Sequence, residues 1–312
     1  IVFEFIFYKP VLDIFFPKKE TANVIGIRKA AGETKKRIIL SGHTDSAFEW
    51  TYTYHGGRPA VLTVIVSAII GVVASIGAAV YSFVTGSAFK FSFVFTGDNL
   101  TAKIICIVLL ALVPFYIAAL FFCNYKRPVT GANDDLSGCF VSCAVAKFLS
   151  DNDIRFENTE VQVLLAAGEE AGLRGAKAYG KAHAKEIKES DVETIFVGFD
   201  TVRDFEFKTI YEKDMTGVVK NDPRVVALLK EGASIAGFDD VSVETIDLGS
   251  TDAAAMSQAG IPAASFVAMD PSPARYYHTR LDTEENLDLK TIEAGVKIAL
   301  ETTFLFDEKG IS

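Results

Sequence analysis

Five short stretches of the chain deliver side chains that ligate metals or move protons. The apolar run RIILSG leads into His43-Thr44-Asp45, and the segment GANDDLSG carries Asp134 and Asp135. EVQVLLA leads into Gly168-Glu169-Glu170, ETIFVGF ends at Asp200, and YYHTRLDT holds His278. One acid behind an apolar run is ordinary loop chemistry. The chain has only 4 histidines, however, and two of them fall in this set. Carboxylates gathered at one place repel each other unless cations lie among them. A donor set of imidazole and carboxylate without thiolate suits zinc or a similar divalent ion. A carboxylate shared by two ions about 3.5–4 Å apart would make a hydrolytic centre.

A sheet would bring these stretches together. With roughly 55–125 set aside, the remaining sequence alternates strand and helix. Strands are expected at 23–29, 37–42, 160–166, 193–199, 205–211, 241–246 and 263–267. Helices are expected at 137–150, 173–189, 223–235, near 252–259 and near 289–306. Ser137 is a plausible N-cap and Pro223 suits a first turn. Strands separated by helices of this length predict a mostly parallel sheet covered on both faces. Ligands bind such sheets outside the carboxyl ends of the strands, where His43, Glu169, Glu170 and Asp200 fall. The expected class is therefore α/β: a three-layer sandwich with a mostly parallel mixed sheet flanked by helices, plus an inserted hydrophobic helical hairpin.

The insertion has its own signal. Pro59–Phe89 and Ile104–Tyr125 contain no charged residue. About 20 apolar helical residues cross a hydrocarbon core of about 30 Å, so both runs are long enough. Gly71, Gly77 and Pro114 are tolerated in membrane helices. Trp50, Tyr52 and Tyr54 before the first run and Tyr125 at the end of the second suit an interfacial belt. The reading is a transmembrane hairpin over 55–125 that meets a lipid bilayer through 60–84 and 104–123, with a loop near 86–103. Core helices normally keep a polar face, which these runs lack. Arg58, Lys126 and Arg127 at the outer ends, against Lys90 and Lys103 in the loop, favour a catalytic domain on the cytoplasmic side. The catalytic domain is expected at 22–54 and 126–312. Residues 1–21 form an apolar N-terminal segment, read as membrane-proximal. The chain begins at Ile1 without Met, as a fragment or processed product would, and shows no signal-peptide pattern.

Composition narrows the partners. Among 312 residues, 40 are acidic and 31 are Lys or Arg, a net charge of −9, which argues against nucleic acid as a partner. Half the residues are hydrophobic and 23% charged, which argues against intrinsic disorder. The 4 cysteines lack CxxC or zinc-module spacing. Cys139 and Cys143, four apart on one helix, are expected as buried reduced thiols. His55, His183, Arg203 and Asp204 are expected to be ordinary polar positions, the last two as loop charge.

Together HTD, GANDDLSG, AAGEEAGLRGA, the Asp after FVGF and YYHTRLDT resemble the co-catalytic zinc aminopeptidase family, peptidase family M28. This group holds bacterial leucyl aminopeptidases and glutamate carboxypeptidase. The resemblance covers about 22–54 and 126–308, and the order and gaps agree. The exception is the gap from His43 to Asp134, where the apolar hairpin occupies the surplus. The resemblance implies two zinc ions: His43 and Asp200 on one, Glu170 and His278 on the other, and Asp134 bridging them. It makes Glu169 the general base and gives Asp45 a hydrogen bond from the His43 ring, which sets its tautomer. The bond between Asp134 and Asp135 is expected to be cis. LGSTDAAAMSQAGIPAASF resembles the family's segment before the last strand, though Ala253 stands where relatives often carry His. Asp252, Tyr276 and Tyr277 become candidates for substrate contact, with one tyrosine hydrogen bonding the oxyanion.

The implied activity is removal of an N-terminal residue from short peptides by a metal-activated water. Carboxypeptidase activity is an alternative within the same family. Glutaminyl cyclisation is another; it is expected to use one zinc, and the presence of both His43 and Asp200 disfavours it. A silent membrane receptor or scaffold with the same fold is disfavoured by the intact set of ligands and base.

Overall fold

The structure, a computed structural model, describes residues 8–85, 100–272 and 274–311. By contact the chain divides into two units. One comprises residues up to Ala47, Val129–Tyr277 and the chain from Leu281 onward; the other comprises Phe48–Pro128 and His278–Arg280.

The first unit is built on an eight-stranded sheet. Its strands are β1 (Val24–Arg28), β2 (Lys36–His43), β5 (Thr159–Ala166), β6 (Glu193–Val202), β7 (Lys208–Asp214), β8 (Val219–Lys220), β9 (Ser242–Thr245) and β10 (Ala263–Ala268). The order is β1-β5-β2-β6-β10-β7-β8, with β9 also paired to β7. The central β5, β2, β6 and β10 run parallel. β1 and β7 flank them antiparallel. The β2/β5 register sets His43 opposite Ala166, so His43 and the Glu169 loop leave the sheet at the same edge.

Strand alternation makes the three layers. Side chains on a strand point to opposite faces in turn. Ile38, Leu40, Val161, Ile195, Val197, Phe199 and Phe266 join one buried cluster with residues of α3 (Ser137–Asp151), α5 (Pro223–Ile235) and α7 (Leu289–Lys309). Ile39, Leu164, Phe196 and Ala263 join the other, with α4 (Arg174–Glu189) and α6 (Asp252–Ala259). Strands buried on both faces explain the continuous apolar runs in the sequence.

Several local expectations are corrected. Ser137 does not cap α3. Its hydroxyl donates to the Asn133 carbonyl at 2.6 Å and accepts from the Val202 N–H at 2.8 Å, fastening the helix start to the end of β6. Cys139 is buried, but Cys143 is exposed, because four residues overshoot a 3.6-residue turn and carry it off the buried stripe. The strand expected at 205–211 begins three residues later, after a 3-10 turn over Phe205–Phe207.

The second unit starts from a two-stranded ribbon, β3 (Phe48–Trp50) against β4 (Cys123–Pro128), antiparallel. It continues into α1 (Thr51–Val84) and α2 (Leu100–Leu120). Gly57, at φ 59°, breaks the first turns of α1, and Pro59 follows it. Both helices are long and apolar enough to cross a membrane. They meet closely where Gly71 faces Tyr116: a Cβ on Gly71 would lie 2.0 Å from the Tyr116 hydroxyl oxygen. The Tyr52 hydroxyl donates to the Ala118 carbonyl at 2.8 Å. Of the loop expected at 86–103, residues 86–99 lie outside the described residues, as do residues 1–7 of the N-terminal segment.

Candidate metal centre

The carboxyl end of β2 presents His43, which is 3% exposed. Its Nδ1 meets the Asp45 main-chain oxygen at 3.0 Å, and its Nε2 lies 3.1 Å from Asp134 Oδ1. With Nδ1–H donated to that carbonyl, Nε2 keeps its lone pair for a cation. The tautomer is thus set by the backbone of Asp45 and not, as expected, by its carboxylate, which stands 3.7 Å from Nδ1. That carboxylate has another task. Its two oxygens accept the N–H groups of Glu169 at 2.9 Å and Glu170 at 3.1 Å, so it orients both acids of the EE pair.

One ligand atom each from His43, Asp134 and Asp200 lie within 4.8 Å of one another, and His43, Glu169 and Glu170 form a second such group. Asp134 and Asp135 are joined by a cis peptide bond. Both are buried, and they do different things. Asp135 accepts the N–H of His43 and of Gly138 at 2.9 Å and of Thr201 at 3.2 Å, tying β2, α3 and β6 at one carboxylate. Asp134 is held by its main chain. Asp282 accepts the N–H of Asp134 at 3.1 Å, the N–H of Asn133 at 2.8 Å and the Asn133 side-chain amide at 2.7 Å.

Glycine makes this approach possible. A Cβ on Gly138 would sit 2.2 Å from the Phe199 carbonyl oxygen and 2.5 Å from Asp135 Oδ1. Gly138→Ala is expected to lower stability by about 3 kcal/mol, the upper range for overpacking. Gly26→Ala, whose Cβ meets only Val163 at 3.9 Å, should stay within about 1 kcal/mol of wild type. Thermal unfolding of the two variants checks this, and equal effects would contradict it.

The electrostatics are those of acids crowded out of water. Burial pushes the Asp200 carboxyl up to about 7, with Asp134 adding to the rise and His43 opposing it. Burial likewise lifts Asp252 to about 7, against the pull of His43. Asp135 and Glu169 rise well above the carboxylate range for the same reason. Burial disfavours charge on His43, but the hydrogen bond to Asp134 and the charges of Asp135 and Glu169 outweigh it and hold the imidazole well above its usual value. Asp252 Oδ1 is buried without a hydrogen-bond partner. Buried oxygens and one imidazole, with surplus negative charge and no thiolate, fit a hard or borderline dication.

Of the other candidates, His278 belongs by contact to the second unit, where its ring lies edge-on to Trp50. The Tyr276 hydroxyl donates to Asp204 at 2.9 Å. Asp204 is more than loop charge, since it also accepts the Asp270 N–H at 2.9 Å and pairs with Arg203 at 2.5 Å. Burial, reinforced by the charges of Asp134, Glu170, Asp200 and Glu169, pushes the Tyr277 phenol up.

Sequence reasoning missed Asp282, Asp214 and Tyr8. Asp282 stood inside the quoted motif RLDT. Asp214 accepts from the N–H and hydroxyl of Thr251 and from the Ser250 hydroxyl, which fixes the turn before Asp252. Tyr8 packs beside the cluster around Leu173 and Met215. Burial raises its phenol, and the charges of Glu169, Asp214 and Glu170 add to the rise. Tyr8 lies in the segment 1–21 that the sequence reading expects to be membrane-proximal.

The profile of peptidase family M28 matches residues 118–303. Many solved structures are similar in fold, among them these three. A zinc aminopeptidase from Bacillus subtilis, BSAP, has TM-score 0.55 and 19% identity over 90% of this chain and 49% of its own. An aminopeptidase from Aneurinibacillus sp. strain AM-1 has TM-score 0.52 and 19% identity over 91% and 47%. A glutaminyl cyclase from Fimbriiglobus ruber has TM-score 0.56 and 14% identity over 91% and 74%. The chain spans about half the length of the two aminopeptidases. No curated protein matches it by sequence.

Proposed function

The chain belongs to peptidase family M28, and on that footing we propose that it is a membrane-anchored dizinc exopeptidase that removes N-terminal residues from short peptides. The observation that carries the reading is the convergence of His43, Asp134 and Asp200 within 4.8 Å, with Glu169 and Glu170 oriented beside them by Asp45. His43 and Asp200 would hold one ion, Glu170 and His278 the other, and Asp134 both. The ions would make an attacking water acidic near neutral pH and neutralise charge on the scissile carbonyl.

The chain's own side chains do the rest. Glu169, its proton affinity raised by burial, takes the proton from the attacking water and passes it to the leaving amine. The Tyr277 hydroxyl donates to the developing oxyanion, a role for which Tyr276 is less suited because it donates to Asp204. Asp252 is the candidate acceptor for the substrate's α-ammonium, since it is buried with one oxygen unpartnered. α1 and α2 would anchor this centre to the bilayer, and the flanking positive charges favour the cytoplasmic face.

Full-length protein in detergent should release the N-terminal residue from free amino-acyl chromogenic substrates, leave N-blocked peptides intact, and lose activity to chelators. Cleavage of blocked peptides alone would overturn the aminopeptidase reading. So would a cyclised product from glutaminyl substrates without hydrolysis.

A further inference from the structure

The sequence leaves the hydrophobic insertion as an appendage, but its root grips the short segment that carries His278. The Trp50 N–H donates to the His278 carbonyl at 2.7 Å. The indole and imidazole meet edge to face, with centroids 4.5 Å apart at 82°. Two residues on, Arg280 forks onto Glu49: Nε to Oε2 at 2.6 Å and Nη2 to Oε1 at 2.7 Å. The Arg280 guanidinium also lies 4.0 Å from the Tyr54 ring centroid. Glu49 is 2% exposed while the Arg280 side chain is 35% exposed, so the bidentate fork is anchored at its buried carboxylate end. His278 has φ 52°, a left-handed conformation that a residue with a Cβ keeps only where its surroundings hold it.

The same root joins both long helices. Trp50 packs on Phe122 at 5.0 Å and pairs with Cys123 across the ribbon. The Thr51 N–H donates to the Phe122 carbonyl at 2.9 Å.

We propose that Glu49 and Trp50 are positioning residues for His278, holding the short segment that presents its ring. This rests on the reading of His278 as a ligand. Groups that orient a metal-bound imidazole typically change metal affinity about 10–100-fold when removed. Glu49→Ala should therefore weaken one zinc step by about that factor and leave the other unchanged.

Trp50 supplies a readout independent of catalysis. It is the only tryptophan, and a cation on His278 alters the charge of the ring facing it. Chelator-stripped full-length protein in detergent is titrated with zinc, and uptake is followed by elemental analysis and by Trp50 emission. Two ions per chain are expected, with emission changing in one step only. That step should be weakened in Glu49→Ala and kept near wild type in Glu49→Asp. Arg280→Lys, which keeps the charge but loses the fork, covers the case in which Glu49→Ala does not fold. If both steps stay within twofold of wild type in Glu49→Ala and Arg280→Lys, the positioning role is wrong. Retention of both ions at wild-type affinity by His278→Ala would overturn the ligand assignment, and the positioning role with it.

Discussion

Glu169→Gln is expected to lower kcat by about 10²–10⁴-fold, the usual contribution of a positioned acid–base group, with zinc content unchanged. The amide has nearly the volume of the acid. The main-chain bond from the Glu169 N–H to Asp45 at 2.9 Å does not depend on the side chain, so the fold has no reason to change. What disappears is the ability to take a proton, which burial sharpens in wild type by lifting the carboxyl well above its usual range. Elemental analysis with initial rates separates two roles for the residue. Glu169 also stands in one of the three-residue groups with His43 and Glu170, where it would be a ligand. A ligand lost would reduce zinc content along with rate. A base lost leaves the zinc in place, and hydrolysis at the wild-type rate would sink the assignment.

The second large effect is a pH-dependent stabilisation by zinc. In the metal-free protein Asp200 and Asp252 titrate near 7, against 3.8 unperturbed. Between these values the folded state holds protons that the unfolded chain releases. The slope of unfolding free energy with pH is therefore negative, and stability falls as pH rises from about 4 to about 7. His43 acts in the same direction. Its folded value is raised, so its contribution is present below about 6.5 and is lost as pH rises through the folded value. A dication held by His43 and Asp200 would displace the protons on those two groups, so its binding is expected to strengthen as the pH rises. At a free zinc concentration 100 times Kd, binding supplies about 2.7 kcal/mol, or about 4 °C of Tm for a chain of 312 residues. Thermal unfolding with chelator and with zinc, between pH 4.5 and 8, should show a gap that widens with pH. A gap that stays constant across that range would remove the carboxylates as the cause.

Residue order alone determined a good deal here. The apolar runs predicted seven of the ten strands among the described residues, missing β3, β4 and β8, and were clearest for the central strands, because a strand buried on both faces must be apolar throughout. The acids and imidazoles behind those runs pointed to a candidate metal centre, because parallel strands deliver their carboxyl ends to one edge. The two charge-free stretches predicted two long helices, because a polar face is something a sequence displays directly.

Only the tertiary structure divided the labour among chemically identical groups. Asp134 and Asp135 are neighbours in sequence, yet one faces His43 Nε2 and the other ties three backbone N–H groups. Asp45 works through its carbonyl on His43 and through its carboxylate on Glu169 and Glu170. Asp204 reads as loop charge and accepts from Tyr276 and Asp270, while Asp214 and Asp282, which no sequence pattern singles out, act as buried acceptors. The partners of these acids lie as much as 149 positions away, and no local pattern records a pairing at that range. What a carboxylate does is decided by whether its nearest buried neighbour is an N–H or another anion, and that is a property of the packed chain.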